Sequence, residues 1–511
     1  MRATCTTIIG GVRVMKRLIM MISVVSLIFI ASLTPAFAGI GRRGISGVQV
    51  QNLSSTRAQL TVSFYPQSSG SPVNIPDTVS PFSARTFYTP SISGLSSGSY
   101  SMVVSSDQPT AAIVRTDWDD TSGAAIYDTV RPGKNILIPL ALQNFAGQVS
   151  QFTVQNASGT SANDIKIEVI ARGTGRVERT LSNQQLNAYQ SRTYDLGNTS
   201  LFGTLPNTGQ DLGATGFVGL IRISSNTVDL VAQSFIDVTN TPAVTAFSSV
   251  AVTDADDTLY CPLVRANYYG DTGIQIVNPN NQDVDVTITF YADSQSPNRG
   301  TFTQRMTIPA NSSDIAFQGP GGNSRQSPTN LPGGTQTPSN TALTNNGFFG
   351  SAVISTNGPK VLAVVNDTEF GPSYRVLSQG SYNCVPKSAA STKHFLPLLR
   401  RYHLQSTKLT TGVQVMNVGN VSNTISLDLI DWDGRDAPDP NPRPINGIGG
   451  VNFFGGDWTG LRTVPRSLGG FGWYGSGVVN CTSPCVVFVS DEGFDRNTRV
   501  DRANYIGISG P

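Results

Sequence analysis

An all-β chain of four tandem β-sandwich modules is what the sequence predicts, and three observations predict it. One short strand is written four times: Val48-Gln49-Val50-Gln51-Asn52, Phe152-Thr153-Val154-Gln155-Asn156, Ile274-Gln275-Ile276-Val277-Asn278 and Val413-Gln414-Val415-Met416-Asn417. Each copy places apolar residues first and third with a polar one between them, the period of two that lays one face of a strand on a core. Glutamate occurs only at 168, 178, 369 and 492, so the usual helix formers are scarce and long helices are not expected. At 511 residues the chain exceeds a single core and suits about three to five units.

Every motif strand closes on Asn, whose side chain bonds the backbone two residues on and suits a chain that turns at once. In the first module a second strand alternates Ala58, Leu60, Val62 and Phe64. Residues 79–87 and 102–105 follow, and Asp107-Gln108-Pro109 turns the chain into residues 111–114. The second strand recurs at 165–169, 284–290 and 425–429. A closing hairpin recurs at 219–235, 351–365 and 477–489.

From the second module onward a proline-containing strand leads the motif: Leu137-Ile138-Pro139-Leu140, Tyr260-Cys261-Pro262-Leu263 and Phe395-Leu396-Pro397-Leu398. Proline cannot donate to a ladder, so edge strands are expected there. The first module has no such strand, which leaves an edge for another chain or the preceding segment to complete. The motif asparagines lie 104, 122 and 139 residues apart, and the growth falls in loops, chiefly 318–347 and 431–460. Unequal loops on a constant scaffold are where specificity resides. The expected divisions are a signal peptide over 1–38 and modules over 39–134, 135–256, 257–389 and 390–511.

Arg13, Lys16 and Arg17 precede an apolar run over 18–33, followed by Thr34-Pro35-Ala36-Phe37-Ala38-Gly39. The small residues at 36 and 38 predict cleavage after Ala38 and export to the cell surface or beyond, with Met15 a better start for such a leader than Met1. The run is short for a membrane span, so no transmembrane segment is expected in the mature chain. Cleavage would remove Arg2, Arg13, Lys16 and Arg17, taking 35 basic residues to 31 against 33 acidic ones. A near-neutral chain without a basic stripe argues against nucleic acid as a partner. Cys5 falls in the leader. In an oxidising compartment the remaining four predict two disulfides, Cys261 with Cys384 and Cys481 with Cys485.

Val-Gln-Val-Gln-Asn at 48–52, Ser-Ser-Asp-Gln-Pro-Thr-Ala-Ala-Ile-Val at 105–114 and Ile-Pro-Ala-Asn-Ser at 308–312 resemble the tandem immunoglobulin-like or fibronectin-type β-sandwich modules of secreted bacterial surface proteins. The resemblance implies a stalk, an adhesin or an accessory module of a surface assembly. The chain departs from antibody-type domains in having no Cys-Trp-Cys core, and no sorting signal or apolar tail is read in residues 505–511.

Catalytic chemistry has few candidates. His394 and His403 are the only histidines, and no Gly-x-Ser-x-Gly elbow accompanies them, so a hydrolase is the weakest reading and no enzyme is expected. Asp431, Asp433 and Asp436, with Asp439, fall in a loop after a strand, as do Asp117, Asp119 and Asp120. Loop carboxylates suit calcium, although the order is not that of an EF-hand. Trp458, Trp473 and Tyr474 lie among glycines and would stack on a sugar if exposed, or fill the fourth core if not. The expectation is a secreted or surface structural or adhesive protein whose partner is a surface protein, a glycan or another copy of itself, with calcium as the only cofactor in view.

Overall fold

The computed structural model describes residues 32–36, 44–67, 70–118, 123–239, 243–268, 270–317, 347–370, 376–405, 407–493 and 502–510. The rest of the expected leader, Asp119, Asp120 and most of the 318–347 loop lie outside the described residues. Among the described residues no helix is long and apolar enough to cross a membrane.

The chain is almost entirely strand, arranged in antiparallel sheets that do not close into a barrel, and one pairing order recurs around each motif strand. Gly44–Asn52 lies between Ala84–Tyr88 and Thr110–Trp118, with Ala124–Asp128 beyond the latter. A second sheet sets Ala58–Pro66 between Val73–Val79 and Tyr100–Ser106. Gln148–Asn156, Asp271–Asn278 and Thr410–Asn417 organise the same first sheet, and Ala162–Ala171, Val284–Ala292 and Asn423–Asp431 the same second one. Each such pair of sheets is called a unit below. Four hydrophobic clusters follow the four units, and in every motif strand the first and third residues are fully buried within one. The cysteines pair as expected, Cys261 with Cys384 and Cys481 with Cys485.

Three expectations are corrected. The closing pair is not a hairpin: Tyr100–Ser106 joins the second-strand sheet while Thr110–Trp118 joins the motif sheet, so the turn at 107–109 carries the chain between layers. In the fourth unit one strand, Trp473–Glu492, runs through both sheets with the Cys481–Cys485 bridge at the crossing. Immunoglobulin domains keep their last two strands in one sheet. The likeness to that family therefore reaches the two-layer antiparallel architecture and stops at strand order.

The lead strands are not simple edges. Asn135–Gln143, Thr258–Ala266 and Ser391–Arg401 each pair on both sides, and the register shifts at Pro139, Pro262 and Pro397. Proline is accommodated at a bulge, where no ladder donor is needed.

The first unit also has a lead strand after all. Ser32–Ala36, within the expected leader, pairs antiparallel with Tyr100–Ser106, the place taken in the other units by the proline-containing strands.

The motif asparagine makes the same bonds in every unit and is fully buried each time. Its Nδ2 donates to the carbonyl four residues on, at Thr56 (2.6 Å), Thr160 (2.7 Å), Gln282 (2.7 Å) and Val421 (2.8 Å). It also donates to carbonyls where the third strand ends, at Val79 and Ser80, Leu186 and Asn187, Ile308 and Pro309, and Gly447. Its Oδ1 accepts from the backbone two residues on, at Ser54, Ser158, Asn280 and Gly419. One side chain thereby ties the crossing between the layers to the turn of the third strand.

The units do not trail out in a row; they close on one another. Ala124–Asp128, Val244–Ser248, Val376–Asn383 and Arg502–Ile506, the last strands of the four motif sheets, pack in that cyclic order, the fourth returning to the first. Ser248 Oγ donates to the Asp128 carbonyl (2.9 Å) and Asn383 Nδ2 to the Ser248 carbonyl (2.8 Å). The Asn504 side chain lies so near Gly380 that an added Cβ would come within 2.1 Å of its Nδ2, which is why glycine stands there.

The turn before the fourth strand of each unit reaches back to the preceding unit. Tyr189 packs on Tyr65, Asn311 Oδ1 accepts from Arg222 (3.0 Å), Ile448 joins the cluster of Tyr260 and Val385, and Phe82 stacks on Phe395 of the fourth unit. A head-to-tail contact whose rotation closes makes a ring.

Two outcomes are expected. Asn278→Ala leaves several buried backbone groups without partners, so the unfolding free energy measured in denaturant should fall by roughly 2–4 kcal/mol. Hydrogen exchange should be faster at residues 100–106 in a chain that begins at Gly39 than in the precursor, with other strands unchanged, because Ser32–Ala36 covers that edge.

Candidate functional site

The residues singled out as chemistry are largely consumed by structure. Asp431 is buried and accepts from Trp473 Nε1 (2.5 Å) and Arg462 Nε (2.5 Å). Arg462 Nη2 also reaches Asp433 (2.7 Å), while Asp436 faces solvent on a separate short strand. The structure thus brings Asp431 and Asp433 onto a guanidinium, and Asp436 does not join them. Asp439 caps the neighbouring strand by accepting from the Leu429 amide (2.6 Å). Among the described residues no group of three or more His, Cys, Asp or Glu is placed to hold a metal ion.

Of the two readings of the aromatics, both tryptophans take the core. Trp458 and Trp473 are buried edge to face in the fourth core, 5.9 Å apart at 85°. Tyr474 is half-buried, its ring 4.9 Å from that of His403. Glycines at 475 and 477 leave the backbone bare enough for these rings and for Leu399 to pack against it. None of the three presents an open face to a sugar.

His394 is fully buried and its ring nitrogens meet the carbonyls of Cys485 (2.9 Å), Ser391 (3.2 Å) and Gly507 (3.4 Å). Burial pushes its pKa down, against those three carbonyls, so the imidazole is neutral and acts as a brace for the strand end. No serine, cysteine or carboxylate side chain is among these contacts.

What sequence reading missed is a set of buried polar contacts between units. The motif-strand glutamines face neighbours: Gln51 donates to the Gly477 carbonyl (3.2 Å), Gln275 to that of Gly219 (3.3 Å) and Gln414 to Asp293 Oδ2 (3.1 Å). Two equivalent carboxylates anchor charged links. In the third unit Asp367 accepts two bonds from Arg265 and a third from Arg502 of the fourth unit (3.1 Å). In the fourth, Asp491 accepts from Arg400 (2.7 Å) and from Arg115 of the first unit (2.8 Å). Asp367 and Asp491 occupy the same register, opposite Thr272 and Thr411.

Burial drives the Arg400 pKa down although Asp491 opposes it. For Arg502 burial acts downward too, but Glu492, Asp367 and Glu369 outweigh it and the group stays charged. The only advance signal was that no copy of the five-residue motif carries a charge.

No family model matches this chain, and no curated protein matches it. Among solved structures, the crystal structure of Thermotoga maritima 1070 aligns at 15% identity over 24% of this chain and 95% of that one, with a TM-score of 0.19. A tetra-tandem repeat in the extending region of a large adhesion protein aligns at 12% identity over 94% and 99%, with a TM-score of 0.10. A Ca2+-stabilized adhesin that helps an Antarctic bacterium bind ice aligns at 10% identity over 89% and 94%, with a TM-score of 0.10. Superposition at this level leaves the assignment of a role to the chain's own residues.

Asp491→Ala takes the carboxylate from the largely buried Arg400 guanidinium and leaves Arg115 to its pairing with Asp117, at the seam between the first and fourth units. It should cost about 3–5 kcal/mol of stability and raise the radius of gyration measured by X-ray scattering, with Asp367→Ala loosening the seam between the third and fourth units instead.

Proposed function

We propose that the chain is a non-enzymatic structural or adhesive protein of the cell exterior. It is an exported scaffold of four immunoglobulin-like β-sandwich modules, residues 39–134, 135–256, 257–389 and 390–511, closed on itself. It presents its loops and one strand edge to a surface protein, a glycan or further copies of itself.

The observation that carries this reading is the closure. The parts that the four copies share, namely the motif strands, their asparagines and the last strands, are turned inward against one another, so what differs between copies is what a partner meets. Two disulfides suit an oxidising exterior and would stiffen the scaffold by constraining the unfolded chain. His394, Asp431 and Asp433 support the non-enzymatic part, the first being engaged with carbonyls and the two carboxylates with a guanidinium. Calcium has no role in this reading, and neither does nucleic acid.

The test is fractionation with N-terminal sequencing, followed by binding of the purified, labelled chain to cells. Recovery outside the cell beginning at Gly39, surface binding that survives a calcium chelator, and no labelling by a serine-hydrolase probe are expected. Retention of the intact chain in the cytoplasm, or labelling by the probe, overturns the proposal.

A further inference from the structure

The seams between consecutive units repeat one construction, and at one of them the charges have been replaced by a cavity. The equivalence of positions is fixed by bonds. The backbone N–H of Arg400 donates to Thr411 Oγ1, that of Arg265 to Thr272 Oγ1 and that of Leu142 to Ser150 Oγ (2.9–3.3 Å). Leu142 therefore stands where the other two units place an arginine.

Register extends the comparison. Asp367 and Asp491 correspond to Ile236, Glu492 corresponds to Thr368, and Arg502 corresponds to Gln379. At the seam of the third and fourth units these positions form the ion pairs described above, around a space of about 170 Å³ bordered by Arg265 and Glu492. At the seam of the second and third units all four charges are gone, and a cavity of about 320 Å³ takes their place. Gln379 there bonds Gln148 across the seam (3.0 Å), a neutral stand-in for the Arg502 to Asp367 link.

The walls of the larger cavity are Leu140, Leu142 and Phe145 from the second unit and Ile315 and Phe317 from the third, and among the described residues no charged side chain borders it. Its polar groups are few. Gln275 has only 1% of its surface exposed, and its Oε1 is a buried acceptor without a hydrogen-bond partner, although its Nε2 bonds Gly219 and Ser313. A close-packed seam does not leave apolar space of this size without cost, and a lone buried acceptor adds to that cost. Ligand sites are commonly of roughly this volume, mostly apolar, with a small number of placed polar groups.

We infer that the seam of the second and third units is a binding site for an uncharged, largely apolar small molecule. The exchange of charged for uncharged residues at Leu142, Ile236, Thr368 and Gln379 selects against anions and cations: no charged group among the described residues borders the cavity, and the seam's Arg172 is already spent on Asp211 and Asp314. Gly273, on the motif strand at the cavity wall, supplies room: a Cβ there would sit in ordinary contact with Phe317 and Ile315, at 3.7 and 3.8 Å. The site is independent of the surface role proposed above, and either reading stands if the other fails.

The experiment is a fluorescence titration of the secreted chain with N-phenyl-1-naphthylamine, a neutral apolar probe with one N–H donor. Saturable binding at one site per chain is expected. Leu142→Arg, which restores the residue of the sister seams, and Gly273→Leu, which fills the cavity from a strand position that tolerates a side chain, should each weaken it by about tenfold or more. Ser490→Ala at the charged seam should leave it unchanged. Should Leu142→Arg fail to fold, Gly273→Leu decides alone. Absence of saturable binding, or binding that a folded Gly273→Leu chain retains in full, overturns the inference.

Discussion

Each unit depends on one buried amide. The motif asparagine sits where the chain leaves one sheet for the other, a place at which neither ladder can satisfy the backbone. Its carboxamide has two donors and an acceptor, and in each copy all of them are spent on main-chain groups that would otherwise be orphaned in the core. Aspartate would bring a charge and lose the donors, and serine is too short to span three strands. The four copies vary freely around this point, and the crossing stays the same. It sets the relation of the two layers and therefore the face each unit offers to its neighbour.

That face explains the composition. A strand alternating Val with Gln suggests one face on a core and one in water, yet Gln51, Gln155, Gln275 and Gln414 are buried because the second face meets the next unit. Amides and hydroxyls can be matched across such a seam at little desolvation cost, whereas lysine or glutamate would need a partner of opposite charge. With 13% charged residues the chain has few such groups to place, and three seams carry buried Arg–Asp pairs: Arg115 with Asp491, Arg502 with Asp367, and Arg172 with Asp314. At the seam of the second and third units the equivalents of Arg265, Asp367, Glu492 and Arg502 are all uncharged, which leaves no member of that set unpaired and space beside them.

Much of the fold was legible. The motif strands, the alternation of the second strands and the cysteine pairs all follow from local chemistry, because a period of two acts at short range, whereas the prolines marked bulges in strands paired on both sides and not the edges expected. Reading stopped where geometry becomes non-local. Gly-Val-Val followed by Cys-x3-Cys and another apolar run at 477–489 looks like a hairpin, since nothing in those residues states that the halves belong to different sheets. Trp458 and Trp473 could be assigned to core or surface only once the glycines between them were folded. Asp431 and Asp433 looked like ligands until Arg462, about thirty residues on, arrived beside them. Closure into a ring had no linear signature apart from the uncharged polar face of the motif.

The first unit shows how export and assembly bear on each other. Its lead strand, Leu33-Thr34-Pro35-Ala36, contains a proline as the other lead strands do and takes the corresponding place, beside Tyr100–Ser106, although the same residues belong to a leader pattern. In the other units the lead strand lies at the seam with the following unit, as Leu140 and Leu263 do at the cavities. Ser32–Ala36 likewise packs toward Gln148–Asn156 and Leu230–Val238 of the second unit. A chain cut after Ala38 would keep three complete seams and one lacking a strand, with the ladder groups along 100–106 unpaired beside a closed scaffold. An exposed ladder of that kind accepts an extended segment from outside, and main-chain bonding supplies affinity with little demand on sequence. The ring stays closed through Ser248, Asp128 and the pairing of Trp118 and Tyr127 with Phe235, so the vacancy is a groove in a rigid body and not the start of unfolding. If the chain is exported as proposed, the asymmetry falls on a seam that keeps these contacts without the missing strand.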